Sequence, residues 1–209
     1  MGCGNSKGAS DPPPKKVEGR TVVGKHLKTD ADLTDWPMFP EGCKSLVSKH
    51  LTEEVWNKYK DQSDASGVSF KTCVFSGCKN VDSGIGVYAG SLDSYEKFAD
   101  LFDPIIEEYH GHGKEAKHVS DMDASALDAP ALPEDEAAMI VSTRIRVGRN
   151  LAAYPLGPGV SKAQRDEIMA KVVEACNQFE GDLAGKFYSL DSLSAADQQQ
   201  LIDDHFLFK

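Results

Sequence analysis

The hydrophobic period changes once along this 209-residue chain, and the change falls at a stretch with no period at all. Before that stretch, apolar residues recur every three or four positions. Tyr95, Phe98, Leu101, Phe102, Ile105, Ile106 and Tyr109 form one such stripe, which is the spacing of a helix face. After it, Met139, Val141, Thr143, Ile145 and Val147 alternate with Ser142, Arg144 and Arg146, the spacing of a strand with two unlike faces. Between them, residues 110–135 are rich in Asp, Ala, Gly and Pro. The layout predicts an α+β chain: a small helical domain over 21–112, a linker over 113–135, and the start of a mixed domain over 136–209.

Local signals refine this layout. The pattern from Lys28 to Tyr59 is helical, punctuated at Pro37 and Pro40, because the residue before a proline is pushed out of the helical region. Thr52 precedes Glu53 and Glu54 as an N-cap precedes a first turn that favours carboxylates. Asp93 with Glu96, and Ser161 with Gln164, have the spacing of a capping box. Pro104 is expected to kink or split its helix. Gly181 is expected to stop the helix that carries Ile168, Met169, Val172, Val173 and Cys176. A short strand over Phe187–Leu190 and a last helix capped by Ser194 complete the reading. So few strands leave a sheet with unpaired edges.

Charge narrows the partners. Lys and Arg number 23 against 33 Asp and Glu, a net charge of −10, which lacks the basic footprint of a nucleic-acid binder. The first twenty residues differ, with net charge +2 against −12 for the rest. They begin Met1-Gly2-Cys3 with Ser6 following, which fits N-myristoylation at Gly2 with Cys3 placed for a palmitoyl chain. One acyl chain binds a bilayer marginally, and two signals anchor it. Residues 1–20 therefore read as a tail with a lipidation signal, or as an ordinary start that happens to carry Gly2. The five cysteines, Cys3, Cys43, Cys73, Cys78 and Cys176, are an odd number without a zinc-type pair. They suit a reducing cytoplasm, where Cys43, Cys73, Cys78 and Cys176 are small packed residues. His110, His112 and His118 lie in the glycine-rich linker and read as solvated rather than metal-binding.

Two segments could carry chemistry. On the alternating segment, Ser142, Arg144 and Arg146 would share one face, and guanidinium forks match phosphate oxygens in pairs. An exposed strand face making salt bridges has the same pattern. Residues 77–90 read GCKNVDSGIGVYAG, a loop whose glycines let a ligand approach the backbone and whose N–H groups suit a carboxylate. A flexible hairpin has that composition too.

Taken together and in order, FPEGCKSLVSKHLTEEVW, DSGIGVYAG, SYEKFADLFDPIIEEYH, VSTRIRVGRNLAAYP, GDLAGKFYSL and QQLIDDHFLFK resemble the phosphagen (guanidino) kinases, especially members that act on arginine. The resemblance runs from about residue 25 to residue 209 and leaves the tail outside. It implies a small all-α domain followed by an α/β domain on an antiparallel sheet, of which this chain holds the incomplete start. It implies reversible phosphoryl transfer between Mg-ATP and a guanidino compound, with metal contacts running mainly through nucleotide and solvent.

By that resemblance, Ser142, Arg144 and Arg146 would bind ATP phosphates and His205 would lie against its base or ribose. Ser83, Gly84, Ile85, Gly86 and Tyr88 would form the loop that selects the guanidino substrate, and Asp82 would latch it. The compact loop favours L-arginine over creatine, taurocyamine or lombricine. Lipidated flagellar members make a ciliary or plasma-membrane address an expectation alongside the cytoplasm. The family's catalytic glutamates and reactive cysteine would lie beyond Lys209, so this stretch alone is expected to be inactive. Two other expectations stand beside it: a non-catalytic interaction or dimerisation module, and a creatine- or taurocyamine-type enzyme.

Overall fold

A computed structural model describes residue 17, residues 19–127 and residues 131–207. Gly2 and Cys3 lie outside the described residues. The chain divides into two compact units, Met1–Val160 and Ser161–Lys209.

The first unit opens with a strand the helical pattern did not announce. β1 (Arg20–Val22) pairs in parallel with β2 (Trp36–Met38), placing Arg20 beside Trp36 and Thr21 beside Pro37. In a two-stranded sheet each strand is an edge, so a proline in β2 forfeits little of the ladder. Arg20 closes the pair: its guanidinium stacks 3.5 Å from the Trp36 ring centroid and its Nη2 donates to Pro37 O at 2.9 Å. Regular α-helix therefore begins only at Leu46, beyond both prolines.

Five helices follow in this unit's core. α1 (Leu46–His50) is capped by Ser45, whose hydroxyl accepts from Ser48 N at 3.3 Å. α2 (Glu53–Tyr59) starts at Thr52, which accepts from Val55 N at 3.2 Å with Glu53 and Glu54 in the first turn. α3 (Phe70–Lys79) is capped by Ser69, and it buries Phe70, Cys73, Val74, Gly77 and Cys78. α4 (Asp93–Lys97) and α5 (Ala99–His110) meet at Phe98, while Pro104 sits inside α5. The break expected at Pro104 thus falls six residues earlier. The Asp93–Glu96 box does not form either, because the Asp93 carboxylate accepts from Ala65 N at 2.7 Å instead. Gly111 ends α5 in the left-handed conformation, φ 71°, which glycine adopts without a Cβ penalty.

Aromatic side chains lock these helices together. Phe70 lies 5.1 Å from Phe98 and 5.5 Å from Tyr59 between ring centroids, and Tyr59 lies 5.4 Å from Phe98. Trp56, Val47, Leu101 and Ile105 complete this buried cluster. Each such side chain contributes about 1.5–3 kcal/mol on burial. α6 (Glu134–Ala137) lies beyond the core and buries nothing.

From 141 to 150 the chain forms neither helix nor strand. The alternating strand expected there is absent, because a strand exists only where a neighbour pairs its backbone, and none of the described residues does so. Both faces of the alternation are consequently exposed, Val141 at 91% and Ile145 at 86% on one and Ser142, Arg144 and Arg146 on the other. The chain rejoins the core at Leu156, whose N–H donates to Gly90 O at 2.8 Å.

The second unit holds α7 (Lys162–Cys176) and α8 (Ala195–Asp203). The Ser161–Gln164 capping box forms in both directions, at 3.2 and 2.9 Å. Ser194 accepts from Asp197 N at 3.0 Å and starts α8. α7 ends at Cys176, short of Gly181, which opens a single 3₁₀ turn. Phe187–Leu190 is not a strand. The apolar stripe of α7 is only partly covered: Ile168 and Val173 are half-buried, whereas Met169, Val172 and Cys176 are exposed rather than packed.

Candidate functional site

The loop from Asn80 to Gly90 is pinned at three points by its own carbonyl oxygens. Gly84 O accepts from Leu46 N at 2.9 Å and Ile85 O from Val47 N at 2.9 Å. Those two amides belong to the first turn of α1, where backbone donors have no partner inside the helix. Gly86 O accepts from Gly77 N at 3.1 Å on α3. Two residues further along, Tyr88 N donates to Cys73 O at 2.9 Å. The loop is a fixed wall and not a flexible hairpin.

Glycine is required at two of these contacts. Gly86 has φ 81°, and a Cβ there would stand 2.6 Å from Val47 Cγ1. A Cβ on Gly77 would stand 2.3 Å from Gly86 O. Gly77, expected in the loop, lies inside α3. A glycine inside a helix costs about 1 kcal/mol against alanine, so such a residue signals a close approach. Gly84 has nothing within 4 Å of its would-be Cβ and presents open backbone.

With the carbonyls turned inward, the N–H groups of Gly84, Ile85 and Gly86 find no acceptor among the described residues. Consecutive amides of this kind form an anion-binding concavity. Ser83 N donates to Asn80 O at 2.9 Å, and Lys25 Nζ donates to Asn80 Oδ1 at 2.7 Å while lying 4.0 Å from Asp82. Asp82 itself is exposed. Val87 and Ala89 point into the core, and Tyr88 between them is 47% exposed.

Tyr88 borders an apolar cavity of about 330 Å³, which Tyr95, Phe102, Tyr109, Asn150 and Leu156 also line. Asn150 ends the segment STRIRVGRN, so residues of both candidate segments meet this cavity. Ser142, Arg144 and Arg146 are exposed on the irregular stretch before it. The structure therefore does not set them on a common strand face. His205 belongs to the second unit, where it has φ 64°. Among the described residues no group of three His, Cys, Asp or Glu could hold a metal ion.

The cysteines differ sharply in environment. Cys43 Sγ lies 3.3 Å from Ser45 Oγ and 3.3 Å from Val81 O, at the root of the loop. Burial pushes its thiol up, but hydrogen bonds from Ser45 and Ser48 outweigh this and hold it below the ordinary value. Burial pushes Cys78 up to about 12 and raises Cys73 as well.

Residues 41–107 match the ATP:guanido phosphotransferase N-terminal domain, a span that includes α1, α3 and the pinned loop. Residues 41–107 thus carry the N-terminal domain of the phosphagen (guanidino) kinases. It is 47% identical over 189 residues to an arginine kinase of Anthopleura japonica, covering 88% of this chain and 26% of that protein. It is 42% identical over 167 residues to arginine kinase Lit v 2.0101 of Penaeus vannamei, covering 80% of this chain and 47% of that one. Among solved structures, the duplicated taurocyamine kinase from Schistosoma mansoni with bound transition-state-analogue components aligns at TM-score 0.65 and 29% identity. That alignment covers 79% of this chain and 23% of the other. Lombricine kinase aligns at TM-score 0.58 and 27% identity, over 79% and 45% of the two chains. The chain spans about half the length, or less, of the relatives it matches.

Proposed function

We propose that this chain supplies the guanidino-substrate half of a phosphagen kinase, and that the substrate is L-arginine. The observation that carries the reading is the pinned loop: three inward carbonyls fix it, the N–H groups of Gly84, Ile85 and Gly86 are left without an acceptor among the described residues and suit an α-carboxylate, and the half-exposed Tyr88 follows two residues on. Phosphoryl transfer asks little covalent chemistry of a protein, and positioning with charge neutralisation supplies most of the catalysis. Arg144 and Arg146, with Ser142, would grip the phosphates of Mg-ATP, and His205 would meet its base or ribose. Asp82 would latch the loop over the bound amino acid, and closure would exclude water.

The choice of arginine over creatine or taurocyamine rests on the compact DSGIGVYAG loop and on similarity to arginine kinases at 42–47% identity. Titrating the isotope-labelled chain with L-arginine tests it: the amide signals of Gly84, Ile85 and Gly86 should shift, and creatine should leave them in place. Unmoved signals at saturating L-arginine contradict the reading.

A second reading has one observation in its favour. Met169, Val172, Phe179, Leu183 and Phe187 line an apolar groove of about 350 Å³ on the second unit, as an interaction module would. It predicts that the 209-residue chain self-associates through that face and that Met169→Lys abolishes the association.

The address is proposed from sequence alone. Acylation at Gly2, with a second chain at Cys3, would tether a cytoplasmic protein to a plasma or ciliary membrane. A Gly2→Ala variant should leave the membrane fraction, and an unchanged distribution refutes the anchor.

A further inference from the structure

One buried carboxylate stands behind the pinned loop without belonging to it. Asp64 is 6% exposed and every acceptor position on its side chain is engaged. Oδ1 accepts from Ser66 N and Val68 N, both at 2.9 Å. Oδ2 accepts from the hydroxyls of Ser91 at 2.9 Å and Ser94 at 2.5 Å. An ionised carboxylate only accepts, so it directs both hydroxyl protons toward itself. The lone pairs of Ser94 Oγ are thereby left to accept from Gly90 N at 3.0 Å and Ser91 N at 3.1 Å.

Gly90 is the C-terminal end of the loop, and contacts converge on it. Its carbonyl accepts from Leu156 N at 2.8 Å. A Cβ on Gly90 would stand 2.3 Å from Val68 Cγ1, and one on Gly159 would stand 2.5 Å from Val68 Cγ2. Val68 is the residue whose N–H Asp64 holds and whose carbonyl accepts from Asp64 N at 2.9 Å. One side chain thus fixes both the surface on which Gly90 rests and the hydroxyl that grips it.

We propose that Asp64 is a positioning residue for the guanidino-substrate loop, acting through Ser94 on Gly90 and through Val68 on the Leu156–Gly159 segment. The substrate named here rests on the proposed function above; the positioning does not. α1 holds the near end of the loop and Asp64 holds the far end, with Tyr88 between them.

Asp64→Asn separates the two halves of this device. The amide oxygen can still accept from Ser66 and Val68, so the turn survives. The amide nitrogen meets two hydroxyls as a donor and competes with Gly90 for Ser94 Oγ. Residue-resolved hydrogen exchange on the 209-residue chain reads the result. In a variant that melts cooperatively, the Gly90, Ser91 and Leu156 amides should exchange at least about tenfold faster. The Leu46 and Val47 amides at the other anchor should keep their rates, and L-arginine should bind about tenfold more weakly. Unchanged rates at Gly90 and Leu156, or equal acceleration throughout α3 and α5, overturn the proposal. Should Asp64→Asn not fold, Asp64→Ser keeps a turn-capping oxygen and gives the same readout. If L-arginine leaves the wild-type loop amides unmoved while Asp64→Asn still frees Gly90, positioning stands and the substrate assignment fails.

Discussion

Gly77 N donates to Gly86 O across a gap so narrow that a methyl group on Gly77 would stand 2.3 Å from that oxygen. The contact is backbone on backbone, so no side-chain rotation can relieve it. Gly77→Ala should destabilise the protein by about 1–3 kcal/mol or more, the cost of overpacking a dense interior, and lower the melting temperature by roughly 2–4 °C per kcal/mol. Gly84→Ala, with nothing within 4 Å of the added methyl, should leave the melt unchanged. Equal melts for the two variants would show that the loop does not lie on α3 as described.

Asp64 should make stability pH-dependent in a defined direction. Burial raises its pKa, but the Ser94 and Ser91 hydroxyls and the Val68 and Ser66 amides outweigh burial and hold it below the ordinary carboxyl value. A carboxyl with a depressed folded pKa contributes stability above its unfolded pKa and loses it as pH falls through the folded one. The difference in urea midpoint between wild type and Asp64→Asn should therefore be full at pH 6 and shrink progressively below about pH 4. A difference independent of pH over that range would contradict the ionised, fourfold-bonded carboxylate.

Thiol labelling should divide the cysteines by environment. Cys43 is partly exposed and held below its ordinary value, and Cys176 is exposed, whereas Cys73 and Cys78 are buried and raised. Since the thiolate is the reactive form, iodoacetamide on the folded chain should modify Cys43 and Cys176 and spare Cys73 and Cys78, as site-resolved mass spectrometry reads. Labelling of Cys78 before Cys43 would refute the packing of α3.

The arginines of the irregular segment make a separate prediction. In the polypeptide expressed from its complete reading frame, Arg144→Gln and Arg146→Gln should each raise the KM for ATP about 10- to 100-fold, the loss of a charge-assisted pair with phosphate. The KM for arginine should move far less. Unaltered nucleotide dependence in both variants would remove these residues from the phosphate site.

What the sequence made legible is local. Thr52, Ser161 and Ser194 were readable as caps because each hydroxyl meets an amide only three residues away. The helical stripe through Phe98, Leu101, Phe102 and Ile105 was readable because one helix face repeats every three to four residues. Asp93 had the right spacing for a cap and was claimed by Ala65, 28 residues distant. The inward carbonyls of Gly84 and Ile85 meet Leu46 and Val47, 38 residues away, so composition showed a glycine-rich loop but not its rigidity. β1 and β2 span three residues each, too few to show a period. The alternation from 139 to 147 was real, but a strand needs a pairing partner and none of the described residues provides it.

The central claim is that the loop ending at Gly90 cups an amino acid for phosphorylation. A coupled assay on the polypeptide expressed from the complete reading frame, with Mg-ATP and either L-arginine or creatine, tests it most directly. The account predicts turnover with L-arginine and little with creatine; turnover with creatine alone would contradict it.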